Sequence, residues 1–85
     1  MQDKKKMVRS ALAKVVKKLR GNKSQFVVAS EIGLSTSIIS PIERGLKDPQ
    51  LTTLFRLADA FKIDIVEFVK LLKDELPKDF SLIED

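Results

Sequence analysis

The chain has 85 residues, enough for one small domain with a single hydrophobic core. It contains no Cys, His, Trp or Tyr, which excludes disulfides and a zinc site and removes the usual carriers of nucleophilic, acid–base and metal chemistry, so no catalytic residue, metal or cofactor is expected. The net charge is +4, but residues 1–56 hold 12 Lys/Arg against 4 Asp/Glu and residues 57–85 hold 4 against 8, so only the first part suits a polyanion.

The opening MQDKKKMVRS is basic, but no apolar stretch follows it, and no later run is long enough to span a bilayer. A soluble, cytoplasmic protein without a membrane partner is expected. Residues 1–6 are predicted to fray, because Lys4, Lys5 and Lys6 repel one another. The first helix is predicted over residues 5–20, with Val8, Leu12, Val15, Val16 and Leu19 as its apolar stripe and Lys14, Lys17 and Lys18 on the wet side. Gly21, Asn22 and Lys23 form a turn, and Ser24 caps a second helix that runs to about residue 32.

Val28, Ala29 and Ile32 make one apolar helical face, and Ile38, Ile39 and Ile42 make another. Between them Gly33 can take the left-handed conformation that stops the second helix, and Ser35 follows as a good N-cap for the third. Ala29 is small where the two helices must approach most closely. That pattern is a helix-turn-helix.

The third helix is predicted over residues 36–44 and carries an anomaly, Pro41. A proline there removes one intrahelical hydrogen bond and crowds the carbonyl four residues back, at a cost of about 3 kcal/mol in an ordinary helix. A kinked or loosely wound second half is expected. Thr36, Ser37, Ser40 and Pro41 fall away from the Ile38, Ile39 and Ile42 face. Gly45 ends the helix, and residues 46–49 make a loop.

A fourth helix over residues 51–61 is expected to bury Leu51, Leu54, Phe55, Leu57, Ala58 and Phe61. Asp64 and Glu67 make a capping box for a fifth, over residues 65–76, which Pro77 stops. Ile65, Val66, Phe68, Val69, Leu71, Leu72 and Leu76 cover more than half of its circumference, and residues 77–85 still carry Phe80, Leu82 and Ile83. Such surplus apolar surface marks a partner. Residues 1–76 are expected to form one domain including the fifth helix, with residues 77–85 as a tail at the partner surface.

The ordered set Ser24-Gln25, Ala29, Ile32-Gly33, Ser35, Ile39-Ser40, Ile42-Glu43-Arg44-Gly45, Pro49, Leu51, Thr53-Leu54 and Leu57-Ala58 resembles the phage-repressor-like (Cro and lambda-repressor type) helix-turn-helix regulators. The resemblance spans about residues 12–72. It implies an all-α, five-helix domain with the helix-turn-helix at helices two and three. It also implies a transcriptional regulator, a repressor in the first instance, that binds double-stranded DNA as a homodimer and is not an enzyme. No small-molecule ligand is expected, since no residues remain for a ligand domain.

In that frame helix three enters the major groove and helix two crosses the backbone. Ser24, Gln25, Ser35, Arg44 and Lys47 are expected to hold phosphates, while Thr36, Ser37, Ser40 and Pro41 face base edges. None of the latter four can make a bidentate pair with a base. Arg20, at the matching family position, is expected to pair with Glu43 beside the core. Phe68, Leu72, Leu76, Phe80 and Ile83 are the expected dimer contacts, some of which must instead belong to the core. Lys62 stands where the family commonly has Gly, at about 1 kcal/mol if φ must be positive there. The alternative is a protein-interaction module of the same fold, such as a toxin-binding antitoxin or a partner of another regulator. The uncharged face of helix three favours it, and the positive charge of residues 1–56 opposes it.

Overall fold

The computed structural model describes residues 4–83 as five helices and, among those residues, no strand. They are α1 (Lys4–Arg20), α2 (Gln25–Glu31), α3 (Thr36–Glu43), α4 (Leu51–Ala60) and α5 (Ile65–Asp74). The fold is all-α, as expected, and the boundaries differ from expectation by one or two residues at helix ends. Lys4, Lys5 and Lys6 are helical rather than frayed. The rest of that expectation, on residues 1–3, lies outside the described residues.

Three helices end alike. The chain passes through one left-handed residue, and the apolar residue after it turns its N–H back onto a carbonyl five positions earlier. Leu34 reaches Ala29 at 2.9 Å, Leu46 reaches Pro41 at 2.9 Å and Ile63 reaches Ala58 at 3.1 Å. This closure satisfies carbonyls that a helix end leaves open. Gly33 takes the left-handed position after α2 at φ +69°, where a side chain would be strained. After α4 the same position falls to Lys62, at φ +58°, and it is a non-glycine residue held in that region by the closure around it.

α1 packs against α3 and α5, α2 against α3, and α4 against α5. Val16, Val28, Ile39, Ile42, Leu57 and Phe68 are the largest fully buried side chains, so every helix contributes to one core. α1 buries Ala11 and Ala13 as well as Leu12, Val15 and Val16, a wider face than its predicted stripe, because it has neighbours on two sides. Val8 and Leu19 are only half-buried.

Two expectations about burial fail. Leu51 is 66% exposed and Phe55 is also exposed; α4 instead closes its inner face with Leu57, Ala58 and Ala60. Phe68, expected at a dimer contact, is 0% exposed and is the one fully buried residue of α5. It anchors α5 to the core and is closed to a partner. Burying such a side chain contributes roughly 1.5–3 kcal/mol.

After α5 the chain turns at Pro77, whose carbonyl accepts the Phe80 N–H at 3.0 Å, and comes back to the start of α1. There the Lys4 ammonium donates to the Ile83 carbonyl at 3.2 Å. Phe80 is half-buried along this path, whereas Ile83 is 79% exposed.

Candidate nucleic-acid interface

Ser24 caps α2 as its residue type predicts: its hydroxyl accepts the Val27 N–H at 3.1 Å. Ser35 has the extended backbone of an N-cap, but its hydroxyl makes no capping bond. It is hydrogen-bonded to the Ser37 hydroxyl instead, and the first turn of α3 is closed by the Ile38 N–H on the Ser35 carbonyl at 3.0 Å. The expected capping role of Ser35 is therefore corrected.

Glu43, at the end of α3, is 3% exposed and is the one buried charged residue among those described. The structure brings Arg20 against it: Nε donates to Oε2 at 2.6 Å and Nη2 to Oε1 at 2.8 Å, the bidentate fork that suits guanidinium and carboxylate. Arg20 Nη1 also donates to the Lys23 carbonyl at 2.6 Å. Gln25, the first residue of α2, adds its amide Nε2 to Glu43 Oε1 at 3.0 Å. Burial works to raise the Glu43 pKa, but hydrogen bonds from Arg20 and Gln25, and then the charges of Arg20 and Lys17, outweigh it and hold the carboxyl below its ordinary value. The hydrogen bond to Glu43 raises Arg20 in turn. Glu43 thus ties the end of α1, the start of α2 and the end of α3 together.

A second tie runs from α1 to the same end of α3, where Arg9 Nε donates to the Gly45 carbonyl at 3.3 Å. Neither the Gln25 nor the Arg9 bond was expected, and residue spacing carries no signal for either. Both depend on where whole helices come to rest. Gln25, expected at a phosphate, is engaged internally by its bond to Glu43.

The outer side of α3 is what this scaffold presents. Thr36 and Ser37 are exposed, Ser40 and Pro41 half-exposed, and Arg44 and Lys47 exposed just beyond the helix. The helix stays α-helical through Pro41 to Glu43. A cleft of about 280 Å³ runs beside it toward α4, lined among others by Ile38, Ile42, Lys47, Gln50 and Thr53.

A family model described as helix-turn-helix matches residues 10–68. The chain belongs to the helix-turn-helix family. It also resembles the crystal structure of a mutant of the restriction-modification controller protein C.Esp1396I, with a TM-score of 0.73 and 26% identity over 80% of this chain and 93% of that one. A search of curated proteins finds no match. As a helix-turn-helix protein the chain is a DNA-binding transcriptional regulator and not an enzyme. No helix among the described residues is long and apolar enough to cross a membrane.

The helix-turn-helix leaves apolar surface elsewhere, with Leu51 and Phe55 exposed on α4, Val66 and Val69 on α5, and Leu82 and Ile83 after it. Val66 is 71% exposed, Val69 is exposed beside it, and with Ile65 they line an open hollow of about 240 Å³. Leu72 and Leu76 are half-buried. The sequence pattern places Val66 and Val69 in the apolar surplus of the fifth helix without marking them as its outward face. Their spacing of three marks one stripe, but a helix apolar over half its circumference does not say which stripe faces out.

Proposed function

We propose that the protein represses transcription as a homodimer, with α3 of each protomer in a major groove of double-stranded DNA. The observation that carries this reading is the two-sided character of α3. Ile39 and Ile42 are buried, Glu43 is locked to two other helices, and Thr36 and Ser37 stand outward with Arg44 and Lys47 at the far end. A rigidly seated helix with a small polar outer face flanked by cations suits a groove lined by phosphates.

Arg44 and Lys47 hold phosphates in this reading. Ser24, Gln25 and Ser35 add weaker contacts: the capping Ser24 hydroxyl keeps its own hydrogen, the Gln25 amide keeps a second N–H, and Ser35 stands exposed at the start of α3. Thr36, Ser37, Ser40 and Pro41 meet base edges. Their side chains discriminate weakly, so a sizeable share of selectivity comes from DNA shape and deformability between half-sites.

Dimerisation uses the outward stripe of α5, Ile65, Val66 and Val69, with Leu72, Leu76, Phe80 and Ile83 around it and residues 77–85 contributing. Phe68 takes no part. Two-fold symmetry then places half-sites about 34 Å apart.

Binding to a random-sequence duplex across a salt series tests this reading. With Arg44 and Lys47 from two protomers, four phosphates are neutralised, and affinity should fall roughly a hundredfold between about 50 and 200 mM salt. Binding without salt dependence contradicts it. Phe26, 70% exposed on α2, favours a second reading, in which the same face docks a protein such as a toxin or another regulator. That reading predicts no binding to duplex DNA.

A further inference from the structure

Pro41 is the sixth residue of α3, and an α-helix of that sequence would have residue 41 donate its N–H to the carbonyl of Ser37. Proline has no N–H. Its ring also crowds that carbonyl and pushes it off the helix axis. Ser37 is exposed and Pro41 half-exposed, so this carbonyl lies on the outer side of the helix rather than in the core. A main-chain carbonyl without its ladder partner must find a donor in water or in a ligand.

The hydroxyl of the same residue is already hydrogen-bonded to Ser35, and Ser35 does not use its own to cap the helix. The carbonyl is the acceptor at this position that Pro41 leaves without its helical donor. We infer that the Ser37 carbonyl, released by Pro41, reads a base in the major groove by accepting a hydrogen bond from an exocyclic amine, the N4 amine of cytosine or the N6 amine of adenine. These amines are the hydrogen-bond donors that bases offer on that edge. A carbonyl cannot donate, so guanine O6 and thymine O4 are disfavoured at the same place. The inference rests on the reading that α3 enters the groove. It makes Pro41 a specificity-determining residue that acts through another residue's backbone.

Pro41→Ala and Pro41→Val each restore the N–H and so occupy the carbonyl; Val also keeps apolar bulk where the ring was. Neither should impair folding, because each removes a helix breaker. The wild type and both variants are titrated with the duplex that the wild type selects from a random pool. At each position of one half-site in turn, adenine is replaced by purine or cytosine by 2-pyrimidinone, which removes only the amine. The wild type should lose about fivefold in affinity at one position, the value of one hydrogen bond, and both variants should lose about twofold or less there. A loss that persists in both variants overturns the inference, because a side chain then reads the amine. So does a loss that Val keeps and Ala abolishes, which marks an apolar contact. If the wild type binds no duplex, the groove reading itself fails, and this inference with it.

Discussion

Removing the Glu43 carboxylate should destabilise the protein by about 3 kcal/mol. Breaking a buried pair by deleting one partner costs roughly 3–5 kcal/mol, because the other charge is left without compensation. The lower end applies here, since the Arg20 side chain is 21% exposed and also bonds to the Lys23 carbonyl, so water can reach it once Glu43 is gone. Glu43→Ala also strands the Gln25 amide. With an m-value of roughly 1 kcal/mol/M for a small domain in urea, the unfolding midpoint should fall by about 3 M. Arg20→Ala combined with Glu43→Ala should cost less than the sum of the two, the mark of direct coupling.

The pH dependence has a definite sign. The Glu43 pKa is lower folded than its ordinary value of 4.5, so its contribution is fully present above that value and lost as pH falls through the folded one. The stability difference between wild type and Glu43→Gln should therefore be constant near neutral pH and shrink in acid. A Glu43→Ala cost within about 0.5 kcal/mol, the range of ordinary surface substitutions, refutes the reasoning.

Lys62→Gly should stabilise the protein by roughly 0.5–1 kcal/mol in thermal unfolding, because relief of the left-handed strain exceeds the added flexibility of the unfolded chain. Arg44→Ala should weaken binding to all duplexes alike and reduce the salt slope by about 1 for each protomer bound, whereas a change in preferred sequence would mark it as a base contact. Val66→Glu should give a monomer in light scattering with an unchanged helical content; a dimer that survives it is built on another face.

The helix-turn-helix was legible because its constraints are local. A glycine must stop α2, a small residue must sit at the crossing, and apolar residues must recur on one side of each helix. The Arg20 and Glu43 contact could be anticipated because a carboxylate near a core face needs a cation, and the family resemblance places Arg20 at the matching position. The role of Gln25 was not legible, since its partner is 18 positions away and any exposed helix start accepts a glutamine. Phe68 and Val66 could not be sorted for a different reason. Each lies on a helix with apolar residues most of the way round, and only the packing of α5 against α1 and α4 decides which stripe turns inward. Leu51 and Phe55 failed similarly: periodicity identified an apolar face on α4 that the fold leaves open.

The central claim is that two copies of α3 read DNA in register. Selecting bound sequences from a random duplex pool tests it most directly. The account predicts a palindrome whose half-sites lie about one helical turn, roughly 34 Å, apart. A pool that remains random after repeated selection, or one that converges on a single asymmetric site, would contradict it.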